Sequence, residues 1–162
     1  MRAFRRRARV LVGSIRSAAD VWLAIRMVGW RLVLPVLKWT LPLPRLARLM
    51  WAPSSGKERE PAREDRIATL ARGLSGRRRR GGRFDNCLER SLVAYRYLSR
   101  AGAEPELVVG VSRDEPVRGH AWVRLDGEPL GDSVDEFEEM TAFGRDGVRT
   151  PAAQRGARQA GK

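Results

Sequence analysis

One run, Asn86 to Asp132, holds the only cysteine and the only histidine of the chain and reads as a helix followed by strands. Asn86 is a good N-cap, and Glu89 three residues on makes a capping-box pair with it, so the helix should begin at Cys87. Leu88, Leu92, Tyr95 and Leu98 recur at helical spacing, and Gly102 follows as the C-cap. Leu107, Val108, Val109 and Val111 then form a buried strand, and the turn-rich stretch 111–119 leads to a second strand over 120–125. Asp126-Gly127 is a hairpin signal, and Glu128 to Asp132 returns as a third strand. Such an order predicts an α+β domain in which one helix packs on a small antiparallel sheet.

That layout puts reactive groups where chemistry can use them. A thiol is a nucleophile only as thiolate, and its pKa falls at a helix N-terminus. The free N–H groups of the first turn also stabilise a developing oxyanion. A histidine serves the thiol as base and the leaving amine as acid. The third member depends on the hairpin. A two-residue loop, Asp126-Gly127, sets Leu125 against Glu128 and turns His120 and Asp132 to opposite faces. The three-residue form, with Gly127 left-handed, sets Arg124 against Glu128 and His120 against Asp132, where the carboxylate orients the imidazole. The three-residue form is the one expected here.

Taken singly, each of these residues has a plainer role. A lone cysteine is usually a small core residue, and an aspartate after Gly131 is usually part of a turn. Asn86 and Ser91 are candidates for a second oxyanion donor, against plainer roles as cap and solvated side chain; Trp122 reads as core or pocket wall. It is the combination of Cys87, His120 and Asp132 that points to a catalytic triad. One cysteine and one histidine do not make a zinc site, and no glycine-lysine phosphate loop is present, so no metal, nucleotide or other cofactor is assigned.

The rest of the chain reads as support. At 162 residues one core is expected. Residues 1–83 carry 21 Lys/Arg against 5 Asp/Glu, residues 84–150 carry 8 against 14, and 151–162 add 3 against none, giving the formal +13. A basic arm therefore precedes an acidic domain. Without zinc-finger spacing, a basic zipper or an aromatic-interleaved RNA motif, specific nucleic-acid recognition is not expected. A lone cysteine forms no internal disulfide, which fits a reducing, cytoplasmic setting.

Within the arm, the apolar run after Arg9 is too short for a signal core. The next run is interrupted by Arg26, Arg31 and Lys38 and by Pro35, Pro42 and Pro44, which should break or kink a helix, so it is no membrane span. Val21 to Leu34 reads as a helix packed on the acidic domain; docking to a partner protein, or peripheral membrane contact through residues 15–52 with tryptophan anchors, are the alternatives. The domain divisions read as an arm over 1–52, a linker over 53–63, the folded domain over 64–150 with a short helix from Asp65 to Leu74, and a tail over 151–162 expected to be disordered. RRRRGGR, 77–83, reads as a solvated loop or an anion-holding one.

The residues of the central run also carry a resemblance. NCLERSL with YRYL, then RAGAEPELVVGV, then GHAWVRLDGEPL, over about residues 64–143, resembles the B proteins of lasso-peptide maturation, in particular the stand-alone peptidase half of the split form, within the transglutaminase-like cysteine protease superfamily. The Cys-to-His spacing of 33 and the His-to-Asp spacing of 12 resemble that family's. The resemblance implies a papain-like catalytic core with Cys87 as nucleophile, His120 as base and Asp132 as its orienter. It also implies a role in removing the leader from a ribosomally made precursor peptide, with a separate leader-recognition protein and a macrolactam cyclase as partners. The tail from Pro151 matches nothing in the pattern. Two alternatives stay open from the residues: another acyl transfer on the same scaffold, and a membrane- or partner-binding module whose thiol is inert.

Overall fold

The computed structural model describes residues 18–52, 59–74, 87–131 and 133–150. Within them lie four α-helices, α1 (Ala18–Thr40), α2 (Leu43–Met50), α3 (Pro61–Leu74) and α4 (Cys87–Arg100). Five strands follow, β1 (Glu106–Ser112), β2 (Gly119–Leu125), β3 (Glu128–Pro129), β4 (Phe137–Phe143) and β5 (Arg149–Thr150), in one antiparallel sheet ordered β3-β2-β1-β4-β5. The fold is α+β, with the cysteine-bearing helix on the sheet.

α4 is the pivot because it is buried on nearly every side. Leu92, Val93, Tyr95 and Leu98 are at most 1% exposed, and even Ser91 and Ser99 are covered. One side of it meets the sheet through Leu107, Val123, Leu125 and Phe143; α1, α2 and α3 cover the other with Met27, Leu34, Leu46, Met50, Ile67 and Leu70. All of these form a single core. The helix closes as its glycine requires: Gly102 is left-handed at φ 92°, with Gly102 N–H donating to Ser99 O and Ala103 N–H to Leu98 O, the paired bonds of a Schellman motif.

α1 shows how an apolar arm is fitted. Asp20, Met27 and Leu34, seven residues apart, are its buried stripe, and half-buried Leu23, Trp30 and Leu37 flank it. The opposite side, including Trp22, Ile25, Leu32, Val36 and Trp39, is exposed. Pro35 does not end the helix, contrary to the sequence reading; it costs one backbone bond while the side chains on either side stay packed in the core. No helix among the described residues is long and apolar enough to cross a membrane.

Two features of the sheet differ from the sequence reading. β4 and β5 were not anticipated, because Glu138, Glu139 and Met140 give β4 little apolar alternation; only Ala142 and Phe143 are buried. The hairpin is the two-residue form: Arg124 pairs with Pro129 and Leu125 with Glu128, and Asp126 and Gly127 are both left-handed, at φ 53° and 89°. That turn matches the twist of its strands, and Arg59 fixes it by bonding both carboxylate oxygens of Asp126 while its other donors reach Glu64.

Candidate active site

Cys87 is the first residue of α4 and is buried, 9% exposed. Asn86, its expected cap, lies outside the described residues, as do 77–83 and the tail. Glu89 is 5% exposed, and its carboxylate meets Lys38 Nζ at 2.6 Å and Arg31 at 3.8 Å, both on α1. These ion pairs tie the arm to the helix two residues beyond the thiol.

The other end of the site is built on β2. Its outer edge is paired with β3 only as far as Val123, whose carbonyl accepts from Leu130 N–H. In a strand, alternate residues present their backbone groups to the same edge, so the Ala121 carbonyl points outward past the end of β3. Ser91 fills that place: its hydroxyl, buried, donates to Ala121 O at 2.9 Å. Ala94, one turn further, lines a cavity of about 20 Å³ with Val123, so α4 and β2 advance in the same sense. One turn back from Ser91, about 6 Å for four residues, equals about two strand positions, which brings Cys87 level with Gly119 and His120.

His120 is half-buried, and its ring is held by aromatic neighbours. Phe137 of β4 stacks on it at 4.5 Å between centroids, and Trp122 lies parallel at 6.0 Å. Trp122 belongs with Val108 and Ala142 to a cluster on the sheet face away from α4. By strand alternation the imidazole starts from that face too. His120 and Phe137 can meet because Gly110 stands between their strands, opposite His120. A Cβ there would lie 2.4 Å from Glu138 O and 3.0 Å from the Trp122 ring, at a point where the β1–β4 register slips.

Asp132 lies outside the described residues. The ladder that was to set it against His120 has a different register, and it ends early: Gly131 N–H bonds back to Pro129 O and takes a φ of 73°. The correction follows from the turn, since a two-residue loop shifts every partner by one position. Arg72 of α3 packs so closely at Gly131 that a Cβ there would meet its guanidinium at 2.7 Å.

Sequence reasoning had no handle on Gly110 or Phe137, and it gave Ser91 other roles. Ser91 looked like a solvated or oxyanion-binding hydroxyl, and only the long-range pairing of α4 with β2 gives it a partner. Trp122 is buried in the Val108–Ala142 cluster, the core alternative of its two readings. Among the described residues no group of three His, Cys, Asp or Glu side chains gathers as metal ligands.

A family model described as the transglutaminase-like superfamily matches residues 24–143, a span running from α1 to the end of β4. No curated protein and no solved structure matches the chain.

Proposed function

The chain belongs to the transglutaminase-like superfamily, and from that premise we propose that it is a cysteine peptidase that removes the leader from a ribosomally made lasso-peptide precursor. The observation that supports the catalytic part is the Ser91–Ala121 bond, which joins α4 four residues from Cys87 to β2 one residue from His120. The narrower assignment to lasso-peptide maturation comes from the resemblance of the Cys87, His120 and hairpin motifs.

In the proposed reaction the Cys87 thiol gives its proton to His120, and the sulfur attacks the carbonyl carbon of the scissile peptide bond. First-turn N–H groups of α4 steady the oxyanion. His120 then passes the proton to the leaving amine as the C–N bond breaks, leaving a thioester. Water attacks that thioester with His120 as base, releasing the leader carboxylate and restoring the thiol. The β2–β3 ladder ends at Pro129, so the hairpin register does not set Asp132; the resemblance makes it the proposed orienter of the imidazole. A leader-recognition protein and a macrolactam cyclase are the proposed partners.

The test is mass spectrometry of the cognate precursor after incubation with the purified chain and its recognition protein. Two fragments whose masses sum to the precursor plus one water are expected, and Cys87→Ala should abolish them. Cleavage that survives Cys87→Ala rules the reading out, and a crosslinked product in place of hydrolysis would make the enzyme an acyl transferase.

A further inference from the structure

Far from Cys87, an open cavity of about 390 Å³ lies between α1, α3 and the C-terminal end of α4. Tyr97, on its wall, is ten residues beyond Cys87, about 15 Å along the helix axis. The lining is dominated by guanidinium groups, Arg26 from α1, Arg63 and Arg66 from α3 and Arg100 from α4, with Trp22 as an apolar flank. Two carboxylates also face it. Asp20 pairs with Arg66 at 3.8 Å, and Glu60 is exposed at the rim. Arg26, Arg63 and Arg100 make no ion pair with a carboxylate among the described residues.

Two further observations show that something is missing from this arrangement. Tyr97 is 5% exposed, and although the Arg26 guanidinium stands beside its hydroxyl as a donor, no acceptor among the described residues takes the phenolic proton. A buried hydroxyl with no acceptor for its proton is costly, and proteins rarely keep one without a use for it. The charges around it also oppose one another. Burial chiefly holds the neighbouring Arg96 guanidinium below the usual arginine value; Tyr97 opposes this, and the charges of Arg100 and Arg26 add to it. An anion in the cavity would relieve that repulsion and give the phenol an acceptor.

We propose that this cavity is a binding site for an oxyanion group, phosphate or carboxylate, gripped by Arg26, Arg63 and Arg100 and accepting from the Tyr97 hydroxyl. Arginine forks match such groups two donors at a time. The chemistry is separate from that of Cys87, so the site works as a regulatory or anchoring one.

Calorimetric titration of the full chain with inorganic phosphate, pyrophosphate and citrate tests it. Saturable binding of at least one is expected, the preferred anion telling phosphate from carboxylate. Arg63→Gln and Arg100→Gln, both compatible with a helix, should each weaken binding about tenfold, the loss of one charge-assisted bond. Tyr97→Phe should raise the Tm of the unliganded protein while weakening the anion. No saturable binding by any of the three, or undiminished affinity in the Arg63→Gln/Arg100→Gln double variant, overturns the proposal.

Discussion

The Ser91 hydroxyl donates to the Ala121 carbonyl at 2.9 Å, one helical turn from the cysteine and one residue from the histidine. Helix and strand are thus fastened close to the two residues proposed to react. Removing the hydroxyl leaves a buried carbonyl without its partner, which costs about 1–3 kcal/mol. Ser91→Ala should therefore lower Tm by several degrees and lower kcat more than it raises KM, since it loosens the register of Cys87 and not the substrate's binding surface. Thermal unfolding alongside steady-state kinetics checks both, and an unchanged kcat in a folded variant would deny the bond any part in the site.

Gly110 of β1 stands opposite His120 of β2, at the register slip against β4. A Cβ would strike the Glu138 backbone oxygen, which cannot rotate aside as a side-chain end can, and would press the Trp122 ring. Gly110→Ala should cost about 1–3 kcal/mol, the usual range for overpacking. It should also separate the His120 and Phe137 rings, visible as changed aromatic and imidazole shifts by NMR. Phe137→Leu, which removes the ring but keeps an apolar side chain, should alter the imidazole shifts with a smaller loss of stability.

How far the sequence could be read depended on the range of the interaction. The helix from Cys87, its stop at Gly102 and the strands over 106–112 and 119–125 follow from neighbours within a few residues, and they were legible. The loop type of the hairpin was not, because Asp126 is fixed in part by Arg59, 67 positions earlier. Nor was β4, which is buried only where Ala142 and Phe143 meet the rest of the fold. Pro35 misled for a similar reason: a local rule against proline was outweighed by the core on both sides of it. In the site, Cys87 and His120 announce themselves by type, whereas Ser91 acquires its role only from a carbonyl left open by the short β3.

The Arg59–Asp126 pair gives stability a modest dependence on acid. Hydrogen bonding to Arg59 holds the Asp126 carboxyl below its ordinary value of 3.8, so the folded state favours the ionised form. A depressed folded pKa contributes stability that is complete above the unfolded value and is lost as pH falls through the folded one. The carboxylate is largely exposed, so screening keeps the contribution under about 1 kcal/mol. Asp126→Asn keeps a residue that tolerates the left-handed turn but removes the charge. Its Tm should fall slightly below wild type at neutral pH, converge with it in acid, and differ less in high salt. A gap that widens on acidification would contradict this assignment.

Glu89 couples the arm to the nucleophile helix. Its carboxylate is 5% exposed and meets Lys38 at 2.6 Å, with Arg31 behind, while Arg31 Nη1 is already buried without a hydrogen-bond partner among the described residues. Removing the carboxylate strands two cations against the core, and breaking a buried pair from one side costs about 3–5 kcal/mol. Glu89→Gln should fall at or below the low end of that range, because the amide still accepts from Lys38. Lys38→Met combined with Glu89→Leu should cost much less than the sum of the single changes, since no lysine charge is left unpaired. Hydrogen exchange distinguishes a local from a global effect: Glu89→Gln should raise exchange in α1 and in the first turns of α4 together, leaving β1 and β2 protected. Exchange rising in α1 alone would show that the arm rests on the helix without holding its N-terminus in place.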